Sequence, residues 1–116
     1  MSDVTIYHNP RCGTSRKTLD LIRKKGIEPK IIEYLKTPPT EKELHDILKL
    51  LGLEPRELMR TKEAEYSRHH FDNSRLRRAQ LIAAMVRHPI LIERPIVLSN
   101  GKAALGRPPE SVEKIL

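Results

Sequence analysis

A chain of 116 residues, 38% of them hydrophobic, is long enough for one compact domain and too apolar for a disordered segment. Its 22 lysines and arginines outnumber its 15 aspartates and glutamates, which gives a net charge of +7 at pH 7. A single cysteine excludes an intrachain disulfide and a multi-cysteine metal site. The histidines show no ligand spacing with that cysteine, so we expect no bound metal.

The sequence predicts a cytoplasmic protein that does not bind membranes. Residues 1–4 lack the apolar run of a signal peptide, and the longest apolar run, residues 81–86, is far too short to span a membrane. The basic surplus fits a basic surface, an anionic small substrate, nucleic acid or an acidic protein partner. Nucleic acid is the weakest of these, because the basic residues are spread along the chain without aromatic side chains for base stacking.

The first third of the chain has the pattern strand, helix, strand. Residues 4–7 form a short apolar strand, and residues 14–25 form a helix with its apolar side chains on one face. Gly26 fits the C-cap of this helix, and residues 30–34 form a second strand. This spacing predicts a right-handed crossover between parallel strands.

The middle of the chain, from about residue 40 to residue 88, is predicted to be a helical insertion. Thr40 and Glu43 form a capping box, after which apolar residues recur at helical spacing. A short helical turn follows, then a polar loop with some helix over residues 61–75 and a further helix over residues 76–87. Within the loop, we expect His69 and His70 to be exposed and not to form a metal site.

The end of the chain is predicted to be a hairpin followed by a helix. The Asn-Gly pair at residues 100–101 lies between two apolar runs, which is the strongest short-range sign of a β-hairpin. Two prolines at residues 108–109 then lead into a short terminal helix. The order β-α-β, helical insertion, β-β-α predicts an α/β protein with a single domain over residues 1–116.

The residues best suited to chemistry surround Cys12, where the first strand gives way to the first helix. A thiolate at a helix N-terminus is stabilised by unpaired N–H groups and by the helix dipole. Polar and basic neighbours, Arg11 and Arg16 among them, disfavour a buried structural thiol. The spacing is that of a redox C-x-x-C motif, but Ser15 replaces the second cysteine, so an external thiol must complete any redox cycle. The Ser15 hydroxyl is placed to hydrogen-bond the thiolate.

His8 and three arginines are further candidates. His8 is either a polar residue at the end of a strand or an imidazolium that lowers the pKa of Cys12. Arg60, Arg94 and Arg107 each fit an exposed surface residue when taken singly. Together, however, their forked donors would bind a tetrahedral oxyanion and offset its repulsion from a thiolate.

The chain resembles the glutaredoxin-linked arsenate reductases, in particular the compact arsenate reductase-related proteins of bacteria. The matching motifs run in order over nearly the whole chain: residues 6–16, 57–60, 88–97 and 100–110. The resemblance implies a thioredoxin-like fold with a mixed four-stranded sheet. It also implies a cis peptide bond before Pro95, which would face the cysteine.

The resemblance also implies a reaction, the reduction of arsenate to arsenite. It makes Cys12 the nucleophile, with His8 helping to ionise it and Ser15 hydrogen-bonding it. It assigns oxyanion binding to three arginines, Arg60, Arg94 and Arg107. Glutathione would be the reductant co-substrate and glutaredoxin the protein partner, with no bound cofactor. We expect a monomer.

Two other functions stay open at this point. The same fold serves a transcription regulator that binds RNA polymerase and senses redox state through its cysteine motif. A general glutathione-dependent thiol oxidoreductase would use Cys12 without an oxyanion. The first alternative is disfavoured because this chain has no second cysteine with which to form a sensing disulfide.

Overall fold

The computed structural model describes residues 3–116. By their contacts these residues form two compact units, one made of the chain up to Thr37 together with Arg94–Leu116 and the other made of Pro38–Glu93. The second unit includes the predicted helical insertion at about residues 40–88. The organisation as a single domain stays a prediction.

A four-stranded sheet forms the centre of the first unit. Strands β1 (Val4–His8) and β2 (Lys30–Glu33) are parallel and are connected through helix α1 (Gly13–Lys24). Strand β3 (Ile96–Ser99) pairs antiparallel with β1, and β4 (Lys102–Leu105) pairs antiparallel with β3. The order across the sheet is β2-β1-β3-β4, so this is the mixed four-stranded sheet of the predicted α/β class.

A tight hairpin joins β3 to β4, as the Asn-Gly pair predicts. Ser99 pairs with Lys102, which leaves a two-residue loop. Both loop residues are left-handed, Asn100 with φ 54° and Gly101 with φ 72°, as a type I′ turn requires. The Asn100 side chain also donates a hydrogen bond to the carbonyl of Ile115 at 3.0 Å, which ties the hairpin to the end of the chain.

One buried cluster of the first unit is aliphatic. Helix α1 packs on β1, and the terminal segment Pro109–Ile115 packs against α1 and β4. This segment is a 3₁₀ helix, where the sequence predicts only a short helix. The buried residues of the aliphatic cluster are Val4, Ile6, Leu19, Ile22, Val97, Ala104, Val112 and Ile115.

The second unit is helical. It contains α2 (Glu41–Leu51), α3 (Pro55–Leu58), α4 (Ala64–Arg68), α5 (Arg78–Arg87) and a 3₁₀ turn at Pro89–Leu91. Helix α4 is the helical part of the predicted polar loop, and α5 begins two residues later than predicted. Helices α2 and α3 both pack against α5.

Local signals determine both ends of α2. The Thr40 hydroxyl accepts a hydrogen bond from the Glu43 N–H at 3.1 Å, and the Glu43 carboxylate accepts one from the Thr40 N–H at 2.9 Å. The predicted capping box is therefore confirmed. Gly52 ends the helix in the left-handed conformation, with φ 69°.

Among residues 3–116, no helix is long and apolar enough to cross a membrane. The same residues hold no group of three or more histidine, cysteine, aspartate or glutamate side chains arranged to bind a metal ion. The expectation that the chain lacks a signal peptide rests partly on Met1 and Ser2, which lie outside the described residues.

His69 and His70 are both exposed, as predicted. The ring of His69 stacks on that of His88 with 4.4 Å between centroids, and Phe71 lies 5.6 Å from His69 and 5.8 Å from His88. His70 adopts a left-handed backbone with φ 58° at the end of α4. The rings of His69, Phe71 and His88 thus pack together within the second unit.

Candidate active site

Cys12 lies in a turn that ends β1 and begins α1. It is the N-cap residue of the helix, and its side chain is half-buried. Its N–H donates to the carbonyl of Asn9 at 3.0 Å, and its own carbonyl accepts from the N–H of Arg16 at 3.0 Å. The Asn9 side chain accepts from the N–H of Arg11 at 3.0 Å, which stabilises the turn. The sulfur is thus held at the positive end of the helix.

The surroundings of Cys12 favour its thiolate. Burial raises the pKa of the thiol, but four other influences lower it by more. These are the hydrogen bond from the Ser15 N–H, the charge of Arg94, a hydrogen bond from the Arg94 side chain and the hydrogen bond from the Thr14 N–H. The net pKa lies below the ordinary value for cysteine. The helix N-terminus therefore activates the thiol together with an arginine far away in sequence.

Arg94 and Arg107 belong to the same unit as Cys12 and are linked to each other. The Arg107 guanidinium donates to the carbonyl of Arg94 at 3.3 Å. The Arg94–Pro95 peptide bond is cis, the isomer that the family resemblance implies. A second cis bond, Arg107–Pro108, was not predicted, because no local signal distinguishes it from other X–Pro bonds.

His8 and Ser15 are buried and hydrogen-bonded to each other. The distance between His8 Nδ1 and Ser15 Oγ is 2.6 Å. The same Ser15 oxygen accepts a hydrogen bond from the Asn9 N–H at 3.1 Å. The Ser15 hydroxyl therefore bonds to the end of β1, and it is the backbone N–H of Ser15 that bonds to Cys12.

The burial of His8 influences the pKa of its ring. Burial is the largest influence and lowers its pKa; Glu33 raises the pKa, while Arg23 and Arg16 lower it. The net effect is a pKa below the ordinary value for histidine, which favours the neutral ring. The role of His8 in ionising Cys12 stays a prediction. The geometry gives His8 a partner in Ser15.

Arg60 lies in the second unit, in the segment that follows α3. Its guanidinium forms an ion pair with Glu63 at 2.7 Å and donates to the carbonyl of Ile90 at 3.4 Å. Its backbone N–H donates to the carbonyl of Leu91 at 2.7 Å. Arg60 is thus fixed at both its backbone and its side chain.

Two residues near the site carried no recognised signal in the sequence. Thr18 is fully buried in α1, and its hydroxyl donates to the carbonyl of Thr14 at 2.8 Å. The same hydroxyl lies 3.4 Å from the carbonyl of Gly106. The sequence does place Gly106 immediately before Arg107. A glycine at such a position often marks a close approach between two backbone segments.

A mixed four-stranded sheet with a cysteine at the N-terminus of its first helix is the arrangement of a thioredoxin-like protein. The comparisons with known proteins agree with this class. The sequence model of the ArsC family matches residues 7–115. The chain belongs to the ArsC family.

Similar proteins match over almost the full length. An uncharacterized protein of Escherichia coli K12, YfgD, is 52% identical and the match covers 97% of this chain and 96% of that protein. The arsenate reductase of Neisseria meningitidis is 47% identical over 100% of both chains. The structure of the arsenate reductase from Vibrio cholerae superposes with a TM-score of 0.96, at 50% identity and 98% coverage of each chain.

Proposed function

We propose that this protein reduces arsenate to arsenite and that the Cys12 thiolate is the nucleophile. The observation that carries the proposal is the hydrogen bond and charge of Arg94 at a cysteine with a lowered pKa. A thiolate alone would repel an anionic substrate, and an arginine beside it offsets that repulsion and supplies forked donors. Relatives named arsenate reductase in Neisseria meningitidis and Vibrio cholerae support arsenate as the substrate.

In the first step the Cys12 thiolate attacks arsenic. An S–As bond forms, and one arsenate oxygen leaves as water or hydroxide after taking up protons. Negative charge stays on the remaining oxygens, where fixed guanidinium groups stabilise it. Arg94 has this role in the proposal, together with Arg107, which is hydrogen-bonded to the Arg94 backbone. The family resemblance assigns the same role to Arg60.

In the second step glutathione attacks the sulfur of Cys12. An S–S bond forms, the S–As bond breaks, and its electron pair stays on arsenic, which leaves as arsenite. Arsenic gains two electrons, and the two sulfurs are oxidised to a mixed disulfide. Glutaredoxin then reduces this disulfide and restores the thiol. An external thiol is required because the chain has one cysteine. A cycle that depends on glutathione supports a place in the cytoplasm.

The test is a coupled assay with arsenate, glutathione and glutaredoxin that measures arsenite. Cys12→Ser should abolish turnover, because a hydroxyl at this site remains protonated and is a far weaker nucleophile. Arg94→Ala should raise KM for arsenate, whereas Arg75→Ala, which removes an exposed arginine, should leave the kinetics unchanged. Turnover by Cys12→Ser at the wild-type rate refutes the mechanism.

The two alternative functions predict no turnover in the arsenate assay, and each predicts a positive result in an assay of its own. A general thiol oxidoreductase would exchange disulfides with glutathione through Cys12 but would not turn over arsenate. A redox-responsive regulator would bind RNA polymerase in a pull-down and show no arsenate turnover. Robust arsenite formation that needs Cys12 and Arg94 would separate the proposed function from both.

A further inference from the structure

Gly106 lies where the backbone comes unusually close to α1. A Cβ atom at this position would be 2.5 Å from Thr18 Oγ1, 2.9 Å from Thr18 Cγ2 and 2.8 Å from Pro95 Cγ. These separations are shorter than real Cβ atoms tolerate, so any side chain would push the surrounding segments apart. The φ of Gly106 is not left-handed, so the need for glycine here is one of space.

Gly106 is held by a hydrogen bond to Pro95 and lies in contact with the Thr18 side chain. Its N–H donates to the carbonyl of Pro95 at 2.9 Å. Its carbonyl lies 3.4 Å from the Thr18 hydroxyl, which also donates to the carbonyl of Thr14 at 2.8 Å. All three contacting residues, Thr18, Pro95 and Gly106, are buried. The close approach is therefore fixed by packing against Thr18 and by the hydrogen bond between Gly106 and Pro95.

Each residue of this contact adjoins a group of the candidate site. Pro95 directly follows Arg94, and Gly106 directly precedes Arg107. Thr18 lies one helical turn beyond Thr14, whose N–H hydrogen-bonds the sulfur of Cys12. We propose that Thr18, Gly106 and Pro95 are positioning residues, which hold Arg94 and Arg107 against the end of α1 that carries the thiol. The proposal rests on the proposed function only where arsenate is the readout.

Gly106→Ala is the perturbation that tests this positioning. The added methyl group should move Pro95 away from Thr18, and Arg94 with it, so the Arg94 charge and hydrogen bond at Cys12 weaken. The pH midpoint for alkylation of Cys12 by iodoacetamide should then rise. In the arsenate assay KM should increase by about ten-fold or more, the effect of a weakened charge-assisted hydrogen bond, with a smaller change in kcat.

A second substitution should partly reverse the effect. Thr18→Ala removes both Thr18 atoms that the new methyl group would meet, and leaves the contact with Pro95. The double variant Gly106→Ala/Thr18→Ala should therefore have an alkylation midpoint between those of Gly106→Ala and the wild type. Ile22→Val is the matched control, a buried change one turn further along α1 that should leave the midpoint unchanged.

The outcomes are distinct. A raised midpoint in Gly106→Ala, partly restored in the double variant and absent in Ile22→Val, supports the positioning role. A wild-type midpoint in Gly106→Ala, or a double variant no better than the single one, overturns it. If Gly106→Ala does not fold, the double variant decides. A raised alkylation midpoint in the double variant supports the positioning role, and a wild-type midpoint overturns it. Because alkylation needs no arsenate, a raised midpoint in a protein that does not reduce arsenate refutes the proposed function alone.

Discussion

Replacement of Ser15 by alanine removes one buried hydroxyl group and leaves the backbone of α1 unchanged. The hydroxyl oxygen lies 2.6 Å from His8 Nδ1 and accepts the Asn9 N–H at 3.1 Å. Ser15 is fully buried and His8 nearly so, so water does not readily replace the lost partner. The backbone N–H of Ser15, which hydrogen-bonds Cys12, is retained in the variant.

The expected loss of stability follows from these two contacts. Each hydrogen bond contributes about 0.5–1.5 kcal/mol net, and a buried group left without a partner costs about 1–3 kcal/mol. We therefore expect Ser15→Ala to lower the free energy of unfolding by about 2–3 kcal/mol. For a chain of this length that corresponds to a fall in Tm of about 10 °C.

Urea unfolding followed by circular dichroism measures the stability, and the pH midpoint of Cys12 alkylation measures the thiol. We expect a large change in stability and a midpoint close to the wild-type value. Ser67→Ala, an exposed serine in α4, is the control and should change stability by less than about 0.5 kcal/mol. A stable Ser15→Ala protein with a clearly raised midpoint would refute this reasoning and show that the hydroxyl bonds the thiolate directly.

Two further predictions concern the free energy of unfolding, and both follow from the burial of particular side chains. The free energy of unfolding should fall as pH drops from about 7 through 6, because the unfolded chain protonates His8 and His88 near 6.5 while the folded chain holds both pKa values lower. His8→Gln should reduce this slope in urea titrations at several pH values, and an unchanged slope contradicts the role of His8. Leu48→Ala, at a fully buried position of α2, should lower stability by about 2–5 kcal/mol. Leu50→Ala, at an exposed position of the same helix, should change it by less than about 0.5 kcal/mol, and equal losses would contradict the packing.

The parts of the fold that the sequence predicts well are those with local signals. The capping box at Thr40 and the glycine at position 52 delimit α2, and the Asn-Gly pair at residues 100–101 specifies the hairpin. The local sequence does not determine the type of the terminal helix. Pro109–Ile115 has seven residues, too few for a stable α-helix by itself, and its 3₁₀ form accompanies packing on α1 and β4.

The same distinction holds for the candidate site. The position of Cys12 at a helix N-terminus is readable because a strand pattern and a helix pattern meet there. The pairing of His8 with Ser15 needs the end of β1 to lie beside the first turn of α1, and sequence periodicity does not report such contacts. The approach of Gly106 to Thr18 joins residues 88 positions apart, so it emerges only when the sheet and helix are assembled.

The groups that lower the pKa of Cys12 determine how the thiol responds to pH. They are the N–H groups of Ser15 and Thr14 and the guanidinium of Arg94. On the proposed mechanism, an arsenate oxygen competes with the sulfur for Arg94. A second guanidinium would offset that competition, and we propose Arg107 for this role because its side chain is hydrogen-bonded to the carbonyl of Arg94.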